Sequence, residues 1–424
     1  MRSVVPVATI LLIAACGAPH ATQQPSPLAA TPSAEAMRRD VGYLASDALE
    51  GRRIGTPGND SAAALIVRRF AALGLSSVGT QPFIAHSAGD AHAGRPSDFA
   101  AQNVIGIIPG TDPRLRGQYV VLGAHFDHLG RSSEGALDPD AVNAIRNGAD
   151  DNASGTAAIL ELARVLQRSP TRRSIAVVAF SGEEQGLLGS QWFVDHAPFA
   201  LDSVQAMLNF DMVGRMQNDQ LLIFGAETAT ELAAIIDSAN AVHPLNVTAT
   251  GDGNGSSDQV SFYLRNLPVL HFFTNVHDDY HKATDDAERV NYAGMASVVG
   301  LAERVTRLIA DRPARLTFVR AVAKAPTASK REGASNAYLG TIPDMGASGV
   351  KGLRLSGVRA GSPADSAGLR AGDVVIEIGG VAVTDLYSYT DALYSHKPGE
   401  TVTIVALRGT ERISTKATLG TRGG

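Results

Sequence analysis

The stretch that decides the fold is Tyr119-Val-Val-Leu-Gly-Ala-His125-Phe-Asp127, an apolar run that ends in polar residues. A near-continuous run of apolar and branched residues is typical of a strand buried on both faces of a sheet. Similar runs occur at residues 175–180, 207–210, 221–224 and 268–273, with helical segments between or after them at residues 154–167, 228–240 and 293–310. This alternation predicts an α/β fold with a central, mostly parallel mixed sheet flanked by helices.

Each main strand of this pattern leads to a residue that can bind a metal ion. In chain order these residues are His125 and Asp127, Asp151 at the start of the following helix, Glu183 and Glu184, Asp211, and Tyr280 with His281. Ligands of open α/β sheets bind outside the carboxyl ends of the strands, so we expect these side chains to meet at one edge. Each residue alone has an ordinary explanation, such as a helix start, an N-cap or a turn. Together they favour a site, because buried strands should not bring charges to one place without a partner.

The residue types at the strand ends favour zinc. Imidazole and carboxylate groups without a thiolate are typical of a catalytic zinc site. A charge count supports two ions, because two Zn²⁺ would balance the carboxylates of Asp151, Glu184 and Asp211 together with one bridging hydroxide. Glu183 then remains free to move protons, and Asp127 is placed to orient the imidazole of His125.

The order of these residues resembles peptidase family M28. The resemblance rests on His-x-Asp at 125–127, Asp-x-x-Ser-Gly at 151–155, Glu-Glu at 183–184, Asp211, Tyr-His at 280–281, and the upstream segments 43–52 and 55–58. It implies that His125 and Asp211 hold one zinc. Glu184 and His281 would hold the second zinc, and Asp151 would bridge the two ions. Glu183 matches the general base, and Tyr280 matches a residue that hydrogen bonds to the reacting carbonyl.

Two short segments depart from the family pattern. Ala283-Thr284-Asp285 stands where the family often has Pro-Ser-Asp, and Ser257-Asp258-Gln259 stands where it has Ser-Asp-His. Both departures spare the proposed ligands. They affect the contacts around those ligands and the shape of the pocket.

The resemblance implies a di-zinc exopeptidase that removes N-terminal residues from peptides. A positively charged α-amine suits a site lined by carboxylates, which favours an aminopeptidase over a carboxypeptidase. Two alternatives remain open: an enzyme similar to glutaminyl-peptide cyclase, and a non-catalytic, lipid-anchored peptide-binding protein. The net charge is −5 and no cluster of Lys and Arg occurs, so a nucleic-acid partner is not expected.

The N-terminal residues predict export. An apolar run within residues 1–15 is too short to span a bilayer, which needs about 20 residues, and reads as a signal peptide. Ile13-Ala14-Ala15-Cys16 resembles a bacterial lipobox, in which Cys16 is lipidated; the alternative is a plain secretory peptide. Residues 16–34 then form a flexible tether, and residues 35–311 form the peptidase domain. We therefore expect a protein anchored by lipid to a bacterial membrane, on its periplasmic or cell-surface side.

The residue composition and pattern change after residue 311. Residues 312–335 read as a linker, and residues 336–424 resemble a PDZ domain. The second resemblance rests on Tyr338–Asp344 and on Gly361–Ile376, a stretch with Gly and Pro at its turns. PDZ domains bind the C-terminus of a peptide, and the backbone amides of Leu339, Gly340 and Thr341 would hold its carboxylate. The alternative is a packing module with an unused groove.

Overall fold

The structure is a computed structural model that describes Met1 and most of the chain after it. The described ranges are 31–90, 95–132, 135–138, 141–251, 253, 255–320, 337–343, 351–358, 361–384 and 386–421. The predicted signal peptide after Met1, Cys16, most of the tether and the greater part of the linker lie outside these residues. Within the described ranges, no helix combines the length and apolar character that crossing a membrane requires.

The N-terminal domain is built from seven α-helices and eight strands within the described residues. The helices are α1 (Ala34–Leu44), α2 (Pro57–Ala72), α3 (Gly155–Arg168), α4 (Leu188–His196), α5 (Leu232–Asn240), α6 (Gln259–Tyr263) and α7 (Tyr292–Ala310). The strands are β1 (Ser76–Asp90), β2 (Arg95–Ile108), β3 (Tyr119–His125), β4 (Ser174–Phe180), β5 (Val204–Phe210), β6 (Gln220–Phe224), β7 (Asn246–Thr250) and β8 (Val269–Phe273).

The eight strands form one mixed sheet in the order β1-β2-β4-β3-β5-β8-β6-β7. Its four central strands, β4, β3, β5 and β8, are parallel to one another. Their carboxyl ends therefore lie at the same edge, where His125 of β3 is opposite Phe180 of β4. This arrangement confirms the predicted α/β fold with its mostly parallel central sheet.

Helices cover both faces of the sheet because alternate strand residues point to opposite sides. Val120 and Leu122 of β3 belong to the core beneath α1, α2, α3, α5 and α7, whereas Val121 belongs to the core beneath α4 and α6. On the same side as Val121, Gly123 permits a close approach, since a Cβ there would lie 2.6 Å from the side chains of Met207 and Phe180. The predicted all-apolar strands thus follow from burial on two sides.

The sequence patterns missed the long hairpin of β1 and β2, strand β7 and helices α4 and α6, and they placed the start of α5 four residues too early. Strands β1 and β2 pair antiparallel at the edge of the sheet, where much of β1 is exposed and little apolar alternation marks it. Helix α5 begins at Leu232 and not at Thr228, because the hydroxyl of Thr228 is engaged in a turn with Gly225 at 2.7 Å and accepts from the Val269 N–H at 2.9 Å. Helix α3 begins at Gly155 after the N-cap residue Ser154, and the N–H of Gly155 donates to Asn152 Oδ1 at 2.9 Å.

The C-terminal module has a hydrophobic core of its own, formed by residues between Ala337 and Leu419. Its elements are β9 (Ala337–Tyr338), β10 (Thr341–Pro343), β11 (Leu353–Val358), α8 (Pro363–Ser366), β12 (Asp373–Ile378), β13 (Val381–Ala382), α9 (Leu386–Tyr394), β14 (Thr401–Arg408), β15 (Glu411–Thr418) and β16 (Gly420–Thr421). Strand β10 lies at the end of the strand order of its sheet. Gly340 precedes it with φ of +84°, in the left-handed region that favours glycine.

Candidate metal centre

Five of the predicted side chains meet at the carboxyl edge of the sheet. His125 Nε2 lies 3.4 Å from Asp151 Oδ1 and 3.4 Å from Asp211 Oδ1. His281 Nε2 lies 3.1 Å from Asp151 Oδ2 and 3.4 Å from Glu184 Oε2. The two oxygens of Asp151 therefore face two different imidazoles. All five side chains are largely buried.

The distances in this cluster fit zinc. With Zn–N and Zn–O bonds of about 2.0–2.2 Å, two donors of one tetrahedral ion lie about 3.3 Å apart. The four imidazole–carboxylate distances of 3.1–3.4 Å match that separation. The buried carboxylates also need a cation, since unpaired charges in the interior are strongly unfavourable. The donors present are thus compatible with zinc in number, type and spacing.

The orientation of both imidazoles is fixed by backbone carbonyl groups. His125 Nδ1–H donates to the carbonyl of Asp127 at 3.2 Å, and His281 Nδ1–H donates to the carbonyl of Gly135 at 2.8 Å. A carbonyl oxygen can only accept a hydrogen bond, so Nδ1 carries the hydrogen in each neutral imidazole. Each Nε2 is then unprotonated and faces the carboxylates.

The carboxylate of Asp127 does not make the expected hydrogen bond to the imidazole of His125. Its carboxylate Oδ1 lies 3.8 Å from His125 Nδ1, too far for a hydrogen bond. The same carboxylate accepts the backbone N–H groups of Glu183 at 3.2 Å and Glu184 at 3.4 Å. Asp127 therefore holds the turn after β4 in place, while its backbone carbonyl orients the imidazole.

Asp151 lies in an irregular turn between β3 and α3 that is held from two sides. The carboxylate of Asp285 accepts the backbone N–H groups of Asp150 at 2.9 Å and Asp151 at 3.1 Å. Asn152 donates to the carbonyl of Phe210 at 2.9 Å, which ties the turn to the end of β5. The peptide bond between Asp151 and Asn152 is cis.

The two departures from the family pattern surround the cluster without displacing its ligands. Asp285 is the residue that anchors the Asp151 turn, as described above. Gln259 accepts a hydrogen bond from Asn209 at 3.1 Å, and Ser257 accepts another from the same amide at 2.8 Å. Between them Asp258 is fully buried, and this burial raises its pKa to about 7.

Glu183 has the electrostatic character of a group that takes up a proton. Its side chain is 11% exposed, and Oε2 lies 4.0 Å from His125 Nε2. Burial raises the pKa of Glu183 well above its usual value, although His125 opposes the shift; the carboxylates of Glu184 and Asp211 add to it. For Glu184 the balance is reversed: burial would raise its pKa, but His281 and His128 outweigh burial and lower it.

Tyr280 lies beside the cluster. Its ring stacks on the imidazole of His281, with ring centroids 3.9 Å apart and planes 25° apart, and it is half-buried. The contact places the phenol next to the proposed ligands. Its hydrogen bond to a reacting carbonyl stays a prediction.

Sequence reasoning missed two buried residues of the site, His128 and Arg52. His128 Nδ1 lies 2.7 Å from Glu184 Oε1. Arg52 is fully buried and donates to the carbonyls of Phe126, Leu44, Asn147 and Gly148 at 2.8, 2.5, 2.6 and 3.0 Å. A signal existed for both, because His128 immediately follows the His-x-Asp motif and Arg52 closes the upstream segment 43–52.

Replacing Arg52 with Met is expected to destabilise the protein by about 3–5 kcal/mol, because several buried carbonyls would lose their donor. Burial lowers the pKa of Arg52 to about 10, so the guanidinium stays charged beside Asp127 and Asp151. Urea unfolding followed by circular dichroism measures the change. Arg39→Met removes a guanidinium that is 64% exposed and serves as the control. Equal stabilities of the Arg52 and Arg39 variants would contradict the proposed support.

Comparison with known proteins identifies the two domains. Residues 103–305 match the model of peptidase family M28, and residues 336–419 match the PDZ domain model. The peptidase domain belongs to family M28. The M28 domain is similar to aminopeptidase YwaD of Bacillus subtilis, with 30% identity over 209 residues that cover 45% of this chain and 41% of the relative. The chain spans less than two thirds of the length of the first curated relatives that it matches.

Solved structures share the fold of the M28 domain. BSAP, a zinc aminopeptidase from Bacillus subtilis, has a TM-score of 0.55 and 19% identity, over 66% of this chain and 96% of that one. The glutaminyl cyclase of Porphyromonas gingivalis has a TM-score of 0.54 and 20% identity, over 65% of this chain and 98% of that one. At these sequence identities, the structural similarity establishes the fold alone. The two solved structures have different activities, since one is an aminopeptidase and the other a glutaminyl cyclase.

Proposed function

We propose that this protein is an exported, lipid-anchored aminopeptidase that binds two zinc ions and removes N-terminal residues from peptides. The observation that carries the proposal is the position of Asp151, whose two oxygens lie 3.4 and 3.1 Å from the imidazoles of His125 and His281. A carboxylate placed in this way would bridge two zinc ions. His125 and Asp211 would hold one ion, and Glu184 and His281 would hold the other.

The residues of the chain divide the work of hydrolysis. Zinc, when bound, lowers the pKa of water and polarises a carbonyl oxygen. Glu183 accepts the proton that the attacking water loses and returns it to the departing amine, which its raised pKa favours. The carboxylate of Asp127 accepts the backbone N–H of Glu183 and so keeps the base in position beside the cluster. Tyr280 is proposed to hydrogen bond to the carbonyl of the scissile bond.

The similarity of the M28 domain to aminopeptidase YwaD supports an N-terminal substrate. Two zinc ions would balance the carboxylates of Asp151, Glu184 and Asp211, which leaves the carboxylate of Glu183 to attract the α-ammonium group of a peptide. We therefore propose a free N-terminus as the recognised end.

Anchoring and partner binding are proposed from the ends of the chain. Cys16 is proposed as the lipidated residue that tethers the protein to a bacterial membrane. The PDZ domain is proposed to bind the C-terminus of a peptide at Leu339, Gly340 and Thr341. Its support is the family match and the edge position of β10, which begins at Thr341.

The test compares a peptide with a free N-terminus, the same peptide with an acetylated N-terminus, and a variant of the free peptide that begins with Gln, before and after chelation. Bound zinc is counted on the same sample. The expected result is release of the first amino acid from the two free peptides and not from the acetylated one, with this release lost on chelation. Loss of ammonia from the Gln peptide without release of an amino acid would indicate a cyclase. Two bound zinc ions without any turnover would favour a binding protein.

A further inference from the structure

A third imidazole lies behind the cluster, and the proposed reaction does not use it. His128 is fully buried, and its ring lies edge-on to His281 with centroids 5.7 Å apart. Its Nδ1 is 2.7 Å from Glu184 Oε1 and 3.8 Å from Asp151 Oδ2. The residue follows β3 within the same turn that carries Asp127.

The distance to Glu184 distinguishes a hydrogen bond from shared coordination. Donors of one tetrahedral zinc lie about 3.3 Å apart, whereas a charge-assisted N–H···O bond is about 2.7–2.9 Å long. The distance of 2.7 Å between His128 and Glu184 is that of a hydrogen bond. The distance of 3.4 Å between His281 and Glu184 is that of two ligands of one zinc ion.

The two oxygens of Glu184 are therefore engaged differently. Oε2 faces His281 and the space between the ligands, while Oε1 accepts from His128. Within the described part of the chain, no other side chain donates a hydrogen bond to Glu184; its remaining bond is from its backbone N–H to Asp127. An imidazole suits this place, because its Nδ1–H can donate a hydrogen bond to the carboxylate.

We propose that His128 is a positioning residue for the zinc held by Glu184 and His281. Its Nδ1–H fixes the carboxylate of Glu184 in the rotamer that presents Oε2 to the ion. The inference rests on the proposed two-zinc function and adds that the two zinc sites differ in their dependence on His128. The ion on this side depends on His128, and the ion on the side of His125 and Asp211 does not.

The experiment compares His128→Asn with His128→Gln in the full chain. The amide nitrogen of Asn lies near the position of Nδ1 and can donate to Glu184, whereas that of Gln lies near the position of Nε2 and cannot. Competition with a chromophoric chelator gives the affinity for each zinc equivalent, and thermal melting monitors the fold. We expect His128→Gln to bind one equivalent about 10- to 100-fold more weakly, with the other unchanged, and His128→Asn to retain both.

Three outcomes would overturn the inference. Wild-type affinity in His128→Gln would show that the hydrogen bond does not position Glu184. Equal weakening in both variants would show that the imidazole itself is required, as a ligand would be. Binding of fewer than two equivalents by the wild-type protein would remove the second ion, and with it the two-zinc proposal, whatever the variants do.

Discussion

Replacing Glu183 with Gln is expected to lower the rate of peptide hydrolysis by about 10²- to 10⁴-fold while zinc binding is retained. The amide is similar in size to the carboxylate but cannot accept the proton that the attacking water must lose. Glu183 lies near His125 but is not assigned as a ligand, since its Oε2 is 4.0 Å from Nε2. The raised pKa of Glu183 favours its protonated form, which can give the proton to the leaving amine.

The measurement is single-substrate kinetics with zinc counted on the same preparation. Glu288→Gln, at an exposed position outside the cluster, is the matched control and should behave as the wild type. Wild-type turnover in the Glu183 variant would remove this residue from the role of base. Loss of zinc together with turnover would instead make Glu183 a ligand.

Removing the metal is expected to destabilise the protein, and more so at pH 9.5 than at pH 6. Without the cations, the buried carboxylates are compensated mainly by protonated imidazoles. Burial alone would lower the pKa of His281, but Glu184 and Asp151 outweigh it and raise the pKa to about 9. His125 shifts in the same direction, since Glu183 and Asp211 overcome its burial.

The sign follows from linkage. A histidine whose pKa is higher in the folded than in the unfolded chain stabilises fully below the unfolded value of about 6.5 and loses this contribution as the pH rises through the folded value. For His281 the loss amounts to about 3 kcal/mol between pH 6 and pH 9.5. Glu184 and Asp211, whose pKa values are lowered, change their contribution only at acid pH, outside this window.

Melting temperatures of the chelated protein at the two pH values provide the test. The chelated His281→Asn variant is the control, because it lacks the titrating group and should lose much of the difference between the two pH values. In the zinc-loaded protein the metal displaces the protons, so the melting temperature should change less. A chelated wild-type protein that melts at the same temperature at both pH values would contradict the charge balance described for the cluster.

Much of the fold could be predicted because its signals are local. The strands at 119–125, 174–180 and 204–210 are buried on both faces, and each carries its own apolar run and a polar residue at its carboxyl end. Parallel strands place these ends at one edge, so the convergence of His125 and Asp211 followed from the strand pattern and general geometry. The hairpin of β1 and β2 escaped prediction because its outer strand is half-exposed and carries little apolar alternation.

The sequence by itself determined the α/β class and the separation of the C-terminal module, because each depends on composition and spacing within short segments. The proposed ligands followed from the resemblance of several separated motifs to family M28. The tertiary structure alone decided how the ligands are held. Asp285 anchors the turn of Asp151 from 134 positions away, and His128 meets Glu184 across 56 positions. Such contacts depend on where distant loops meet in the folded chain, which no local pattern of residues records.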